Sequence, residues 1–484
     1  MSEQKVKNEK SKKRQVTDRR NTVYTLKNKL GEGGQGLVCT TDIPNVLIKV
    51  AKEKNPEKIK ARKRHLEWIM RQNLEGLHIA RPQEIIAKPA NVVGYVMELM
   101  DGLEPLDKSL ETSFLQLAEH GSLEGYRQTG GLKRRLLLLR ELARTLADLH
   151  ARGLAFGDLS PANIFVSESV EYHQLWLIDC DNICVTERIG RDYIYTQGYA
   201  APEIIRQESG VNVSTDGWSF AVVALKLLTL CHPFESGFIV EDGDPEEEIE
   251  KANRGELPWI YDQNDDANGW AESGIPLELV SSKRVRELFN DCFDEGINTP
   301  SARPSMAVWA DAIDEAISRL HDCSFTDNCG VSFIYNKQKQ CRFCDNIQTP
   351  DQHLLLEYYF FNDEIVEDHT DESDKDSSQW IKTRSCQLLN INQIVELHLA
   401  PMGSSLYRES PKLCVIELRG DGLFITPTTE GFVELQRNSD EQTHIVSRQQ
   451  RLRIESRKGE VFLLHLRHKG IDGYTSHPVW KFTW

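Results

Sequence analysis

The stretch GDLSPAN, Gly157 to Asn163, followed by LID at Leu177 to Asp179, decides how this chain of 484 residues is read. It brings two carboxylates, Asp158 and Asp179, and one carboxamide, Asn163, into a short reach of sequence. Oxygen ligands of this kind suit a hard divalent cation, and a loop aspartate can accept or orient the proton of a hydroxyl. Each residue alone is more often a turn or cap residue. Their order and spacing, with Asp179 ending the apolar run LWLI, are hard to obtain by chance.

Upstream, GEGGQGLV carries Gly31, Gly33, Gly36 and Val38 in a G-x-G-x-x-G-x-V spacing. Glycines let backbone approach phosphates, and the valine would pack on a nucleotide base. An ordinary hairpin turn explains the glycines equally well when they stand alone. Thirteen residues after Gly36 lies Lys49, within VLIKV. A lysine among apolar strand residues needs an anion. Glu67, in KRHLEWI, is the expected partner, with Glu57 or Glu53 as fallback. YVMELMDG then reads as a buried strand ending in a polar joint. Met97 would guard the back of a base pocket, and the backbone of Glu98 and Met100 would pair with the base edge.

Three later features extend the series: TQGYAAPE with Thr196 and Glu203, STDGWSF with Asp216 and Trp218, and SARPS with Arg303, expected to pair with Glu203. With these motifs in order, residues 24–320 resemble the eukaryotic-type protein kinase family. The resemblance implies a bilobal α+β fold with ATP and magnesium in the cleft. Carried over residue by residue, Lys49 binds the phosphates, Asp158 is the catalytic aspartate, and Asn163 and Asp179 hold magnesium. An active kinase would transfer the γ-phosphate of ATP to serine or threonine hydroxyls of a protein substrate.

The chain departs from the family pattern at three places. Phe156-Gly157 replaces the usual His-Arg, which removes the cation on which a phosphorylated loop docks. Ser160 stands where the family has a lysine, and Cys180-Asp181 replaces Phe-Gly. Asp181 adds a third carboxylate near the metal position, able to bind metal or to raise repulsion. These departures keep a second reading open, a nucleotide-binding pseudokinase scaffold.

Composition frames both readings. A hydrophobic fraction of 39%, a charged fraction of 27% and a net charge of −16 describe a globular protein without a nucleic-acid-binding surface. With no signal peptide and no membrane-length apolar run, a cytoplasmic location is expected. Residues 1–22 read as a basic disordered tail and 23–320 as the kinase-like domain, a small β-rich lobe before a helical lobe. In the small lobe, strands are expected at Leu26–Leu30, Leu37–Thr41, Asn45–Val50, Ile79–Ile86 and Val92–Leu99, with a helix over about Pro56–Glu75. The acidic run Glu241 to Glu256 reads as a solvated loop or insertion, and Asp363 to Asp376 as a solvated loop.

Eleven cysteines, an odd number, fit reduced thiols and a metal site. Cys323-x5-Cys329-x11-Cys341-x2-Cys344 predicts a structural zinc knuckle over 321–348, with His321 as an alternative ligand. Residues 351–484 alternate as strands and predict an all-β domain that serves as an interaction module. The GDLSPAN loop, the IDCD motif and the knuckle together are similar to bacterial kinases of the tellurium-resistance-associated phosphorylation triad. That resemblance implies two partners, a von Willebrand factor A-type protein and a metal-dependent type 2C phosphatase.

Overall fold

The computed structural model describes residues 14–33, 36–98, 102–185, 195–271, 273–323, 329, 331–335, 340–347, 352–362, 380–402, 406–439, 442–471 and 476–484. Two compact units divide the chain, residues 1–311 and 312–484. Met100 and the Asp363–Asp376 run lie outside the described residues.

The first unit begins with six strands closed into a barrel: β1 (Gln15–Asp18), β2 (Val23–Gly33), β3 (Gly36–Thr41), β4 (Val46–Lys52), β5 (Glu84–Lys88) and β6 (Val92–Glu98). Alternation drives them: Val16, Tyr24, Ile48, Ile86, Val92 and Val96 turn inward as one apolar cluster. β1 falls inside the stretch expected to be a disordered tail. It is ordered because it pairs with β2 on one side and β5 on the other, burying Val16 and Asp18. The buried Asp18 carboxylate accepts from the Tyr24 hydroxyl and the Thr22 amide. The strand expected from Ile79 begins only at Glu84; Ile79 instead makes a single bridge to Leu177. Between β4 and β5 runs α1 (Pro56–Ile69), capped by the Asn55 side chain with Pro56 at its first turn.

The chain continues through β7 (Leu103–Pro105), α2 (Leu106–His120), α3 (Glu124–Gln128) and α4 (Gly131–Ala151). As the spacing predicts, Leu132, Leu136, Leu139, Ala143 and Leu146 of α4 are all buried. β8 (Ile164–Ser167) and β9 (Leu175–Leu177) join β7 in a small antiparallel sheet. α5 (Pro202–Ile205) and α6 (Val213–Thr229) follow, the latter buried along most of its length. The acidic run is helical rather than a loop, at Phe238–Asp242 and Pro245–Asn253. Asp244 caps the second helix, Pro245 opens it, and Glu246 to Glu248 sit where the helix dipole favours anions.

The second unit packs two antiparallel sheets around one core. The six-stranded sheet runs Trp380–Asn390, His353–Asn362, Ser476–Thr483, Val461–His468, Gly431–Arg437, Thr443–Ile445 in spatial order. The four-stranded sheet runs Ile394–His398, Lys412–Arg419, Gly422–Pro427, Gln450–Arg453. Leu354, Leu356, Ile416, Leu418, Leu423, Val433, Leu464 and Trp480 fill the space between them. The four cysteines of the expected knuckle fall in this same unit. Among the described residues, no helix is long and apolar enough to cross a membrane.

Candidate active site

The GDLSPAN segment lies in the connection from α4 to β8, and Asp179 comes two residues after the end of β9. Paired by Ile164–Leu177, Phe165–Trp176 and Val166–Leu175, β8 and β9 fix the two halves of the site against each other. Asp216, 1% exposed at the start of α6, holds the loop from below. Its carboxylate accepts from the backbone amides of Phe156 at 2.6 Å and Gly157 at 2.9 Å, and lies 2.9 Å from His150 Nε2. Gly157 has φ +91°, and a Cβ there would come within 2.9 Å of the Asn182 carbonyl oxygen. Only glycine fits this position without strain.

Asp158 is buried, and its Oδ1 accepts from the Thr196 amide at 3.0 Å and the Thr196 hydroxyl at 2.9 Å. Burial pushes its carboxyl above the usual range, and the Thr196 bonds oppose that shift. The Thr196 hydroxyl also lies 3.4 Å from Ser160 Oγ, so the serine extends this bonded set rather than adding charge. Asp158 and Thr196 border a pocket lined by Leu159, Tyr199, Ile204 and Val211. The Asn163 amide nitrogen donates to the Asp158 carbonyl at 2.9 Å, which assigns its carboxamide oxygen to the acceptor role a cation needs. A carboxamide oxygen and the Asp179 carboxylate are oxygen donors of the type magnesium takes. Asp179 itself adopts a left-handed backbone at φ +65°.

Lys49 lies on β4, opposite Tyr95 of β6, and both are buried. Its ammonium donates to Asp179 Oδ1 and to both oxygens of Asp181, the latter at 2.8 and 3.0 Å. The Tyr95 hydroxyl donates to Asp181 Oδ1 at 3.3 Å. Burial disfavours the Lys49 charge, but Asp181 and Asp179 outweigh it and raise its pKa. Burial and the Asp181 charge push Asp179 well up. Asp181 resists its own burial because Lys49 and a hydrogen bond from Asp179 hold it at about 2. Two like charges this close separate their titrations, with the proton favoured on Asp179.

The expected Lys49–Glu67 pair is not formed. Glu67 Oε1 bonds Arg19 Nη2 at 2.5 Å, on the residue that follows β1. The ordered β1 supplies Glu67 with a nearer cation, and Lys49 meets its anions on the Asp179 loop. Sequence reading noticed Asp181 but not that it is Lys49's partner, and it missed Tyr95. Strand alternation could have found Tyr95, because Lys49, Tyr95 and Met97 share one face. Met97 is fully buried and Glu98 is exposed at the end of β6. Val38 pairs with Lys49, and Gly31 pairs with Val38 in the β2–β3 hairpin. Gly33 faces Gly36 across it, and a Cβ on Gly36 would meet the Val50 carbonyl at 2.7 Å.

Beneath the site, Arg303 donates to both oxygens of Glu203, at 2.7 and 2.9 Å, as the motifs predict. Both residues are buried, and the guanidinium also lies over the Trp218 ring.

In the second unit, the sulfurs of Cys323, Cys329, Cys341 and Cys344 all lie within 4.8 Å of one another. Cys323–Cys344 and Cys329–Cys341 are 3.7 and 3.8 Å apart, too far for disulfides. A tetrahedron with metal–sulfur bonds of about 2.3 Å has edges of about 3.8 Å, so the spacing fits a tetrahedral thiolate site. The Phe343 amide donates to Cys341 Sγ at 3.4 Å. The His321 ring packs against Phe333 and His353 and is not in the four-sulfur cluster.

Comparison with known proteins agrees with this geometry. Residues 24–313 match the family model "Protein kinase domain", which is more than half of the chain. The chain is 27% identical over 168 residues to ribosomal protein S6 kinase 2 alpha of Xenopus laevis, covering 34% of this chain and 20% of that protein. It is 28% identical over 166 residues to human ribosomal protein S6 kinase alpha-3, with 34% and 20% covered. Maternal embryonic leucine zipper kinase of Xenopus tropicalis is 27% identical over 168 residues, with 34% of this chain and 23% of that protein covered. The chain thus covers about a fifth of the length of these relatives.

Proposed function

The chain belongs to the protein kinase family, and from that premise we propose that it is an active serine/threonine kinase of a bacterial signalling or stress system. The family implies ATP and magnesium as cofactors and a protein as substrate. The observation that carries the serine/threonine reading is the bond from the Thr196 hydroxyl to Asp158 Oδ1. Asp158 already engages an aliphatic hydroxyl, beside a pocket that borders the same carboxylate.

In this reading Asp158 orients the substrate hydroxyl and takes up its proton, while Asp216 and Asn163 keep the loop in place. Asn163 and Asp179 would hold magnesium, which neutralises charge on the phosphates. Lys49 contributes a buried ammonium for the phosphates. The four cysteines would hold a structural zinc, consistent with their sulfur spacing. A von Willebrand factor A-type protein and a type 2C phosphatase are the proposed partners, the cytoplasm the proposed location, and the all-β unit the proposed docking module.

Incubation with magnesium, γ-labelled ATP and a generic protein substrate, followed by phosphoamino-acid analysis, tests the proposal. Phosphoserine or phosphothreonine supports it; phosphotyrosine alone overturns the specificity. Ser160 in place of a lysine favours the second reading, a scaffold, and nucleotide-dependent stabilisation without any transfer would establish that instead.

A further inference from the structure

A buried ammonium must have an anion; the sequence points to Glu67 on α1, and the Asp179 loop offers two more carboxylates, Asp179 and Asp181. The structure gives Lys49 to the loop. Both oxygens of Asp181 accept from its Nζ, at 2.8 and 3.0 Å, and the Tyr95 hydroxyl fixes Asp181 Oδ1 from the opposite strand position. Glu67 is turned away to Arg19, with 35% of its side chain exposed. We propose that Asp181 is the positioning residue for Lys49, doing from the metal-binding loop what a helix glutamate does in the family pattern.

The charges explain why a third carboxylate is there. Lys49 touches Asp179 and Asp181 together, one cation between two carboxylates. Once Asp179 serves a cation, Lys49 retains a carboxylate of this pair only through Asp181. A glycine at 181 would leave the ammonium to find an anion elsewhere. Tyr95 supports the arrangement because β4 and β6 place it directly across from Lys49. α1 is thereby released to a structural task, joining the end of β1 through the Glu67–Arg19 bond. Control of lysine position then passes from the helix to the loop that carries Asp179.

For phosphate transfer the inference rests on the kinase reading, but nucleotide affinity reports on Lys49 independently of turnover. The experiment compares Asp181→Asn, Asp181→Glu and Glu67→Gln in the full chain, measuring the Kd for magnesium-ATP together with kcat and KM. Loss of a charge-assisted contact predicts that Asp181→Asn weakens affinity or kcat/KM by about 10- to 100-fold. Glu67→Gln should lose at least about tenfold less, and Asp181→Glu should recover part of the function. In a Lys49→Ala background, Asp181→Asn should have little further effect, since Asp181 acts through the lysine. That last comparison separates positioning from a general structural role.

A loss in Glu67→Gln equal to or greater than that in Asp181→Asn would overturn the proposal. So would a gain of activity in Asp181→Asn, which would make Asp181 a latch on Lys49. If the natural chain binds nucleotide but transfers nothing, the enzyme reading fails, and the ranking of affinities still decides this inference.

Discussion

Asp158 owes its orientation to Thr196 and Asp216. Thr196 presents both its amide and its hydroxyl to Oδ1, and Asp216 grips the two amides just before Asp158. Thr196→Val removes one of those donors and leaves the backbone bond. We expect kcat to fall about tenfold, within the range for a group that assists proton transfer, while the KM for ATP changes little. Steady-state kinetics at saturating protein substrate read the split. Gly157 sets a second expectation. Any side chain there meets the Asn182 carbonyl at a backbone angle that disfavours L-residues. Gly157→Ala should destabilise the first unit by about 1–3 kcal/mol in urea unfolding. The family arginine cannot simply be restored at this position, which is why the Phe156-Gly157 departure is built into the loop.

At the scale of elements, the Glu203–Arg303 pair joins α5 to the segment before the helix Met306–Ser318. With its fork fully engaged and buried, Arg303→Leu leaves Glu203 an uncompensated buried charge. A loss of about 3–5 kcal/mol follows, measurable by chemical denaturation of the isolated variant. The elements also show what sequence could and could not tell. GDLSPAN, LID and the glycine hairpin were legible because their residues are contiguous and chemically unusual. β1 was not: Gln15 to Asp18 is short and polar, and only its non-local partners β2 and β5 make it a strand. The helices over 238–253 were obscured by their charge, although Asp244-Pro245 followed by glutamates is a helix start by capping chemistry. Lys49 was recognisable as needing an anion, but which carboxylate it meets depends on tertiary placement. Arg19 competes for Glu67 from a strand the sequence did not announce.

At the scale of the whole molecule, each unit carries its own sensitivity. The second unit contains His465 and His477: His465 Nδ1 lies 3.0 Å from His477 Nε2, and His465 Nε2 lies 2.9 Å from Gln436 Oε1. Burial, with Arg467 nearby, depresses His465 to about 4 and His477 to about 3 from the ordinary 6.5. The unfolded chain therefore binds more protons than the folded one once pH falls below the ordinary histidine value. Stability of this unit is full above about 6.5 and declines as pH drops toward 4 and below. Thermal unfolding of its transition at pH 7.5 and pH 5 should show that fall, and His477→Gln should flatten it. The same unit should contain one zinc by metal analysis if the four thiolates hold it, and a strong chelator should lower its unfolding temperature. The proposed kinase chemistry stands on the first unit, with Asp158 as the group proposed to engage the acceptor hydroxyl. The most direct test is transfer of labelled γ-phosphate by the natural chain beside Asp158→Asn, both checked for nucleotide binding. Transfer by the natural chain, with a loss of about 100-fold or more in the variant at preserved binding, is the predicted result. Equal transfer by both proteins, or none by either, would contradict it.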